Sequence, residues 1–267
     1  MAIERVTGFF ERIGGGDLDA VRSLYDGIEK LDGNSGDATA DEKSHFKKRA
    51  AQTLAVIEER REDLLKFATP EEYRDVRQAA RIVLQSVEMR NGVPWVERDR
   101  AMADNVRWLL EERFPGEKIV LWAHNGHIGT SPIGGEKSQG MHLRELYGRQ
   151  MSVLGFASDR GEVRAKRIAE GKFQPGPPVA MPLDPAKEVS AEGLFREAEL
   201  PAFLLDFRRL PKESPLGEWL DKPRLHRSIG SGFDPENASG NYTYVNLMDT
   251  YDGLIFIEQC TAAKPLN

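Results

Sequence analysis

The chain has 267 residues, of which 40% are hydrophobic and 30% are charged, and its formal net charge is −6. Its length allows a substantial core and falls between one domain and two. The acidic balance and the lack of a basic stripe argue against nucleic acid and anionic membrane surfaces as partners. No apolar run approaches the ~20 residues that span a bilayer, and no signal core precedes a cleavage site, so we expect a cytoplasmic protein.

The first part of the chain predicts helices. Apolar residues recur at three- and four-residue steps from Leu18 to Leu31, and a second helix is expected over roughly Lys43 to Phe67. Thr69 is placed to cap the next helix, with Pro70 in its first turn and Glu72 closing a capping box. Helices in this order are typical of a bundle or a cap.

The pattern changes near Phe114, after which strands and helices alternate. Ile119 to Ala123 form a continuous β-branched and aromatic run, which is typical of a parallel strand buried on both faces. We therefore predict an α/β fold with two regions. Residues 1–113 form a helical bundle or cap, and residues 114–267 form a parallel-type sheet with flanking helices. Further expected elements are strands at Ser152 to Phe156, Ala202 to Asp206 and Leu254 to Ile257, a helix capped by Ser190, and a long irregular loop or short hairpin between Gly161 and Pro185.

Two histidines follow the strand predicted at Ile119 to Ala123. His124 and His127 lie three residues apart with Asn125 between them, at the carboxyl end where open α/β sheets bind ligands. An imidazole exchanges protons near neutral pH, because its unperturbed pKa is about 6.5. We predict His124 and His127 as catalytic residues. The alternative is that His124 and Asn125 satisfy loose backbone groups in the turn while His127 solvates the loop.

Metal and cofactor sites are not predicted. The two histidines lack the four-residue helical spacing of a His-Glu-x-x-His zinc site. The glycines at 129, 134, 135 and 140 match neither a P-loop nor a dinucleotide fingerprint, and they predict a mobile loop beside the site. Cys260 is the only cysteine, which excludes an intrachain disulfide and favours a packing role. No substrate-binding residue is assigned from the sequence.

Several other polar residues have structural interpretations. Asp99 is expected near the N-terminal turn of its helix, where a carboxylate favours the helix dipole by ~0.3–1 kcal/mol. Asn105 is expected to face inward, where a buried amide needs hydrogen-bond partners. His142 is placed to reach the same crevice as the histidine pair, whereas the charged surroundings of His45 and His226 predict surface positions.

The chain resembles the erythromycin esterase family from Met1 to the C-terminus. The most specific piece of the resemblance is Trp122-Ala-His-Asn-Gly-His127, and in that family these two histidines belong to the active site. The implied reaction is hydrolysis of a carboxylic ester by activated water, with His124 and His127 positioning water or substrate. In macrolide-cleaving members the ester is a lactone, and its cleavage gives antibiotic resistance. The other segments that carry the resemblance are Glu97 to Leu110, Lys118 to Ile128, Gly140 to Gly148, Ser152 to Phe156, Tyr251 to Ile257 and Thr261-Ala-Ala.

The resemblance also exposes an absence. Family members begin with a segment containing Gly-Glu-x-x-His and a further glutamate, and no such motif occurs in this sequence. We therefore expect an incomplete hydrolase with activity absent or far below that of a complete relative, a small-molecule ester or lactone as its partner, and self-association through an exposed apolar sheet edge. The alternatives are a non-catalytic remnant that binds a small molecule, and a metal-dependent hydrolase using His124, His127 and a carboxylate.

Overall fold

The computed structural model describes residues 2–14, 18–25, 39–90, 95–132 and 136–265. The chain forms two compact units, Met1–Val120 and Leu121–Asn267. Each unit has its own buried apolar core. Within the described ranges, every helix is too short or too polar to cross a lipid bilayer.

The first unit is helical, and side-chain caps fix where two of its helices begin. Thr39 accepts a hydrogen bond from the Glu42 amide at 3.2 Å, while the Glu42 carboxylate accepts one from the Thr39 amide at 2.9 Å. Thr69 and Glu72 form the same reciprocal pair, which confirms the predicted capping box. The helices are α1 (Ala2–Ile13), α2 (Leu18–Tyr25), α3 (Ala40–Glu59), α4 (Arg61–Leu64), α5 (Pro70–Arg90) and α6 (Trp95–Trp108), the last continuing into a π-helical turn at Leu109–Arg113.

Two helix predictions differ in extent from the structure. The helix expected from Lys43 to Phe67 is divided at Arg60, where the backbone leaves the helical region at φ −93° and ψ 18°. The pattern from Leu18 to Leu31 gives α2 only as far as Tyr25, because residues 26–38 lie outside the described part of the chain.

The core of the first unit is built from the apolar faces of α1, α2, α3 and α5. On α5 the buried side chains recur at the three- and four-residue steps of a single helix face. Asn105 on α6 accepts from Gln78 at 2.7 Å and donates to Gln85 at 3.1 Å, so the expected inward amide is confirmed with its partners. Asp99 is the fifth residue of α6, directly after the first turn and so near the N-terminal turn as expected, and it is 5% exposed.

The second unit contains a mixed sheet with flanking helices. The strand β1 (Leu154–Ala169) pairs in parallel with the C-terminal strand and, near its own end, with the short strand at Gly232–Phe233, whereas other strands of the sheet pair antiparallel. The other strands of this sheet are β2 (Lys172–Phe173), β3 (Val179–Leu183), β4 (Ala202–Asp206), β6 (Gly232–Phe233) and β8 (Gly253–Cys260). The strands β5 (Arg224–Arg227) and β7 (Tyr242–Val245) form a separate antiparallel pair. The helices are α7 (Asn125–Ile128), α8 (Gln139–Tyr147), α9 (Ala191–Arg196), α10 (Pro215–Leu220) and α11 (Leu247–Thr250), with short 3₁₀ turns at Gly148–Gln150, Phe207–Arg209 and Ala238–Asn241.

The strand predicted at Ile119 to Ala123 is wrong. Residues 118–123 make no backbone hydrogen bond to other described backbone groups, and the Val120 and Trp122 side chains are 90% and 83% exposed. An apolar run supplies strand propensity, but a strand also needs a neighbour to complete its backbone hydrogen bonds. The histidines therefore follow an extended segment rather than a sheet strand.

The region from Gly161 to Pro185 forms the expected hairpin. Here the second half of β1 pairs with β2 and then with β3. Gly161 has φ +125° and lies so close to Cys260 that a Cβ would meet the carbonyl oxygen at 2.0 Å. Only glycine fits that position, where β1 pairs with β8 on one side and with its hairpin partner β3 on the other. Along the first half of β1, Gly155, Ala157 and Asp159 are buried while Phe156 and Ser158 are partly exposed.

Candidate active site

An open cleft of about 660 Å³ lies beside the first half of β1, within the second unit. Its walls combine aromatic and aliphatic side chains with a few polar ones, which is typical of small-molecule sites. His124 and Asn125 are among the lining residues, whereas His127 and His142 are not. The full lining is Trp122, Ala123, His124, Asn125, Phe156, Ala157, Ser158, Glu162, Val163, Arg164, Arg227, Ser228, Ile229, Gly230, Ile257, Cys260 and Thr261.

His124 caps the short helix α7. Its backbone is extended, at φ −61° and ψ 147°, and its Nδ1 accepts a hydrogen bond from the Gly126 amide at 3.1 Å. That amide is one of the donors that a helix N-terminus leaves unpaired. The turn-satisfying role considered for His124 is therefore present in the structure.

The cap also determines which ring nitrogen of His124 carries a proton. Because Nδ1 accepts from the Gly126 amide, the neutral ring must hold its proton on Nε2. Nε2 lies 3.3 Å from the Ser228 hydroxyl oxygen, so the imidazole donates toward Ser228 and the cleft. In this tautomer His124 cannot take the hydroxyl proton, and Ser228 is not an activated nucleophile.

The pKa of His124 lies below its ordinary value of 6.5. Partial burial of the ring is the main cause, and the neighbouring His127 acts in the same direction. The residue keeps access to solvent from the cleft even though protein atoms partly desolvate the ring. The neutral imidazole is therefore the dominant form near pH 7.

The two predicted site histidines come close together in the structure. The ring centroids of His124 and His127 are 6.4 Å apart and the rings are nearly perpendicular, at 75°. His127 is half-buried, within α7. Among the described residues, no group of three or more His, Cys, Asp or Glu side chains is arranged to hold a metal ion.

Asn125 joins the histidine turn, which we define as residues 124–129, to the sheet. Its Oδ1 accepts from the Phe156 amide at 3.0 Å, and its Nδ2 donates to the Phe156 carbonyl oxygen at 2.6 Å. The side chain thus occupies the position of a neighbouring strand at this point of β1. The Trp122 ring packs on Phe156 with 5.2 Å between centroids.

Two contacts hold the far end of α7. The Thr130 amide donates to the Thr250 carbonyl oxygen at 2.9 Å. Gly140, at the start of α8, approaches α7 so closely that a Cβ would lie 1.9 Å from the Ile128 carbonyl oxygen. The predicted mobile loop thus includes a tightly packed end at Gly140, while Gly134 and Gly135 lie outside the described residues.

The surface position predicted for His226 is wrong, because its side chain is 1% exposed. It lies in β5, and its Nδ1 is 2.6 Å from the carboxylate of Glu192, which is fully buried. The charged neighbours of His226 in the sequence gave the opposite indication, and no local signal pointed to Glu192. His45 is exposed, as predicted. Cys260 is a free thiol that lines the cleft.

The comparisons with known proteins identify the family. The model of the erythromycin esterase family matches residues 1–260, and the chain belongs to that family. A curated relative described as the putative hydrolase YbfO of Bacillus subtilis (strain 168) is 26% identical over 172 residues, which is 61% of this chain and 35% of that relative.

Solved structures share the mixed α/β fold with flanking helices. A Bacillus cereus protein is 21% identical with a TM-score of 0.78, covering 97% of this chain and 63% of its own. A protein described as a succinoglycan biosynthesis protein is 18% identical with a TM-score of 0.78, and the match covers 97% of this chain and 62% of that protein. A mutant of the erythromycin esterase EreC in its open conformation is 16% identical with a TM-score of 0.73, and the match covers 97% of this chain and 65% of the mutant. The chain thus spans less than two thirds of these structures' lengths and matches about a third of YbfO.

Proposed function

We propose that this chain carries the carbonyl-binding part of a carboxylic-ester hydrolase site that acts on a small-molecule ester or lactone. Membership of the erythromycin esterase family supports a hydrolase class. The observation that carries the proposal is the geometry of His124: the Gly126 amide occupies Nδ1, which assigns the ring proton to Nε2, beside Ser228 in the wall of an open cleft.

The proposed chemistry follows from the charge that ester hydrolysis creates. When water attacks an ester, the carbonyl oxygen becomes negative, and a preoriented donor stabilises it. A neutral imidazole with a lowered pKa is suited to donate to that oxygen. We assign this donor role to His124. His127 supports it by lowering the pKa of His124, which favours the neutral imidazole. The base that activates water is then a group other than His124, because the lone pair of its Nδ1 is occupied by the Gly126 amide.

Two substitutions at His124 separate its two roles. In His124→Asn the amide oxygen can still accept from the Gly126 N–H, since asparagine is a strong N-cap, but the side chain is too short to reach Ser228. His124→Ala loses both contacts. We expect both variants to lose ester binding and about 10²-fold in any turnover, as for removal of one oxyanion donor. Only His124→Ala is expected to lose stability, by ~0.5–2 kcal/mol.

The measurements are calorimetric binding and hydrolysis of model esters, lactones and macrolides by the chain, with urea unfolding of the same variants. His45→Gln, at an exposed histidine of the first unit, is the matched control. Full binding and turnover in His124→Asn would contradict the donor role. The wild-type chain binding none of these compounds would overturn the proposed substrate class.

The same cleft supports one non-catalytic candidate. Both amide atoms of Asn125 and the Nδ1 of His124 are bonded to backbone groups, so none of them is available as a base. These bonds hold the wall of the cleft in place, which is sufficient for binding a ligand. Saturable binding of an ester or lactone with no hydrolysis would favour this binding function over the hydrolase.

We also propose that the chain associates with itself through the extended segment Ile119 to Trp122. Its four apolar side chains are all at least 37% exposed. Its backbone makes no hydrogen bond to other described backbone groups, which is the condition under which strand edges pair between molecules.

A further inference from the structure

A buried carboxylate and imidazole lie behind the histidine turn. Glu192 on α9 is fully buried, and its Oε1 is 2.6 Å from the Nδ1 of His226, although the contact is bent compared with a well-aligned hydrogen bond. The Arg227 amide donates to the same oxygen at 3.0 Å. A buried carboxylate is costly unless such partners offset its desolvation. Burial raises the pKa of Glu192, but the close contact with His226 and the hydrogen bond from the Arg227 amide outweigh it and leave that pKa below its ordinary value.

The other face of His226 meets Asn125. The backbone of Phe156 donates to Oδ1 of Asn125 and accepts from Nδ2, and this fixes the orientation of the Asn125 amide. A flipped amide would place its NH₂ group against the Phe156 N–H and its oxygen against the Phe156 carbonyl oxygen. Its Nδ2 therefore faces the Nε2 of His226, at 3.4 Å. Since Nδ2 can only donate, the Nε2 of His226 must accept, and its proton belongs on Nδ1, toward Glu192.

We propose that Glu192 and His226 are positioning residues for the histidine turn, holding Asn125 through an imidazole that is neutral and protonated on Nδ1. Glu192 selects the tautomer, the Nε2 lone pair of His226 holds the Asn125 amide, and Asn125 fixes the turn against β1. A proton on Nε2 would set two N–H groups against each other and release Asn125. The arrangement itself needs no substrate; only its consequence for ester binding rests on the proposed function.

The competing explanation is a buried pair that contributes to stability alone. That explanation requires no particular tautomer, since a charged imidazole would bind Glu192 equally well. The positioning role requires the Nδ1–H tautomer in the folded protein. A different tautomer would therefore exclude the positioning role, and an effect of Glu192 on the His124 ring separates that role from a pair that contributes to stability alone.

The test is a long-range proton–nitrogen NMR spectrum of the ¹⁵N-labelled full chain at pH 7, in which protonated and unprotonated ring nitrogens resonate far apart. His226→Gln and His45→Gln assign the signals. We expect the His226 ring to carry one proton, on Nδ1. A proton on Nε2, or one on each nitrogen, would overturn the proposal whatever the ester assays give.

Asn125→Asp tests the coupling directly. An aspartate at this position only accepts hydrogen bonds, so we expect His226 to move its proton to Nε2 or to gain a second one. An unchanged tautomer in the folded variant would overturn the proposal.

Glu192→Gln is a milder second variant, because it keeps an acceptor near Arg227 and removes only the charge. We expect it to shift the His124 ring resonances, whereas Glu145→Gln, at an exposed glutamate bonded to Lys137, leaves them in place. Identical His124 resonances in the two variants would overturn the positioning role.

Discussion

At the scale of single residues, His124 combines two roles that the sequence presents as alternatives. Its Nδ1 satisfies the Gly126 amide, and its Nε2 faces Ser228 and the cleft. One side chain can do both because the two nitrogens of an imidazole act independently, one as acceptor and one as donor. The structural role therefore fixes the tautomer that the proposed chemistry uses.

The lowered pKa of His124 gives a prediction about titration. We expect its NMR titration midpoint to lie below 6.5, and His127→Gln to raise it only part of the way back, because burial is the larger cause. The control His45→Gln should leave the midpoint unchanged. A midpoint at or above 6.5 in the wild-type chain would contradict the partial burial of the ring.

The same shift sets the sign of a stability effect. Below pH 6.5 the unfolded chain binds the His124 proton more readily than the folded chain. The contribution of His124 to stability is thus fully present above pH 6.5 and is lost as the pH falls to the folded pKa. His124→Asn should remove this part of the pH dependence in urea unfolding.

At the scale of elements, the site depends on how closely α8 approaches α7. Gly140 lies in the first turn of α8, where a helical Gly→Ala change ordinarily stabilises by up to ~1 kcal/mol. Here a Cβ would lie 1.9 Å from the Ile128 carbonyl oxygen and 2.6 Å from that of Gly129. These are backbone atoms of the histidine turn, so they cannot move without moving α7.

We therefore predict that Gly140→Ala destabilises the protein by ~1–3 kcal/mol, the usual range for overpacking. Chemical denaturation measures the change. Gly240→Ala is the matched control, because a Cβ at Gly240 meets nothing within 4 Å. Equal denaturation midpoints for the two variants would show that the contact at Gly140 relaxes at no cost.

At the scale of the whole molecule, the two compact units meet in sequence within the exposed segment Ile119 to Trp122. The domain boundary predicted between residues 113 and 114 stays a prediction, since compactness alone does not show that either part folds independently. The segment itself gives the clearest expectation at this scale, because contiguous exposed apolar side chains favour association.

We predict that Val120→Lys shifts the chain toward monomer in sedimentation velocity experiments, because Val120 is 90% exposed and a charge on an exposed strand edge opposes pairing. Val189→Lys is the matched control, at a valine that is 75% exposed elsewhere in the second unit. A wild-type chain that is monomeric at all concentrations, or equal effects of the two substitutions, would contradict association through this segment.

The sequence by itself determined the features that depend on neighbouring residues. The Thr69 and Glu72 capping box, the Ser190 cap, the buried face of α5 and the strand at Ala202–Asp206 all follow from groups within a few positions of each other. The histidine pair was found in the same way, because its motif is contiguous.

Only the tertiary structure decided the rest. The Asn125 amide meets His226 across 101 positions of sequence, and the carboxylate beside that histidine comes from a third element. The apolar run at Ile119 to Ala123 predicts a buried strand. Whether its backbone forms hydrogen bonds with another strand depends on a neighbouring segment that its own residues do not specify. Local propensity and capping act over one or two turns, whereas backbone pairing and buried contacts between polar side chains join distant segments, so periodicity cannot predict them.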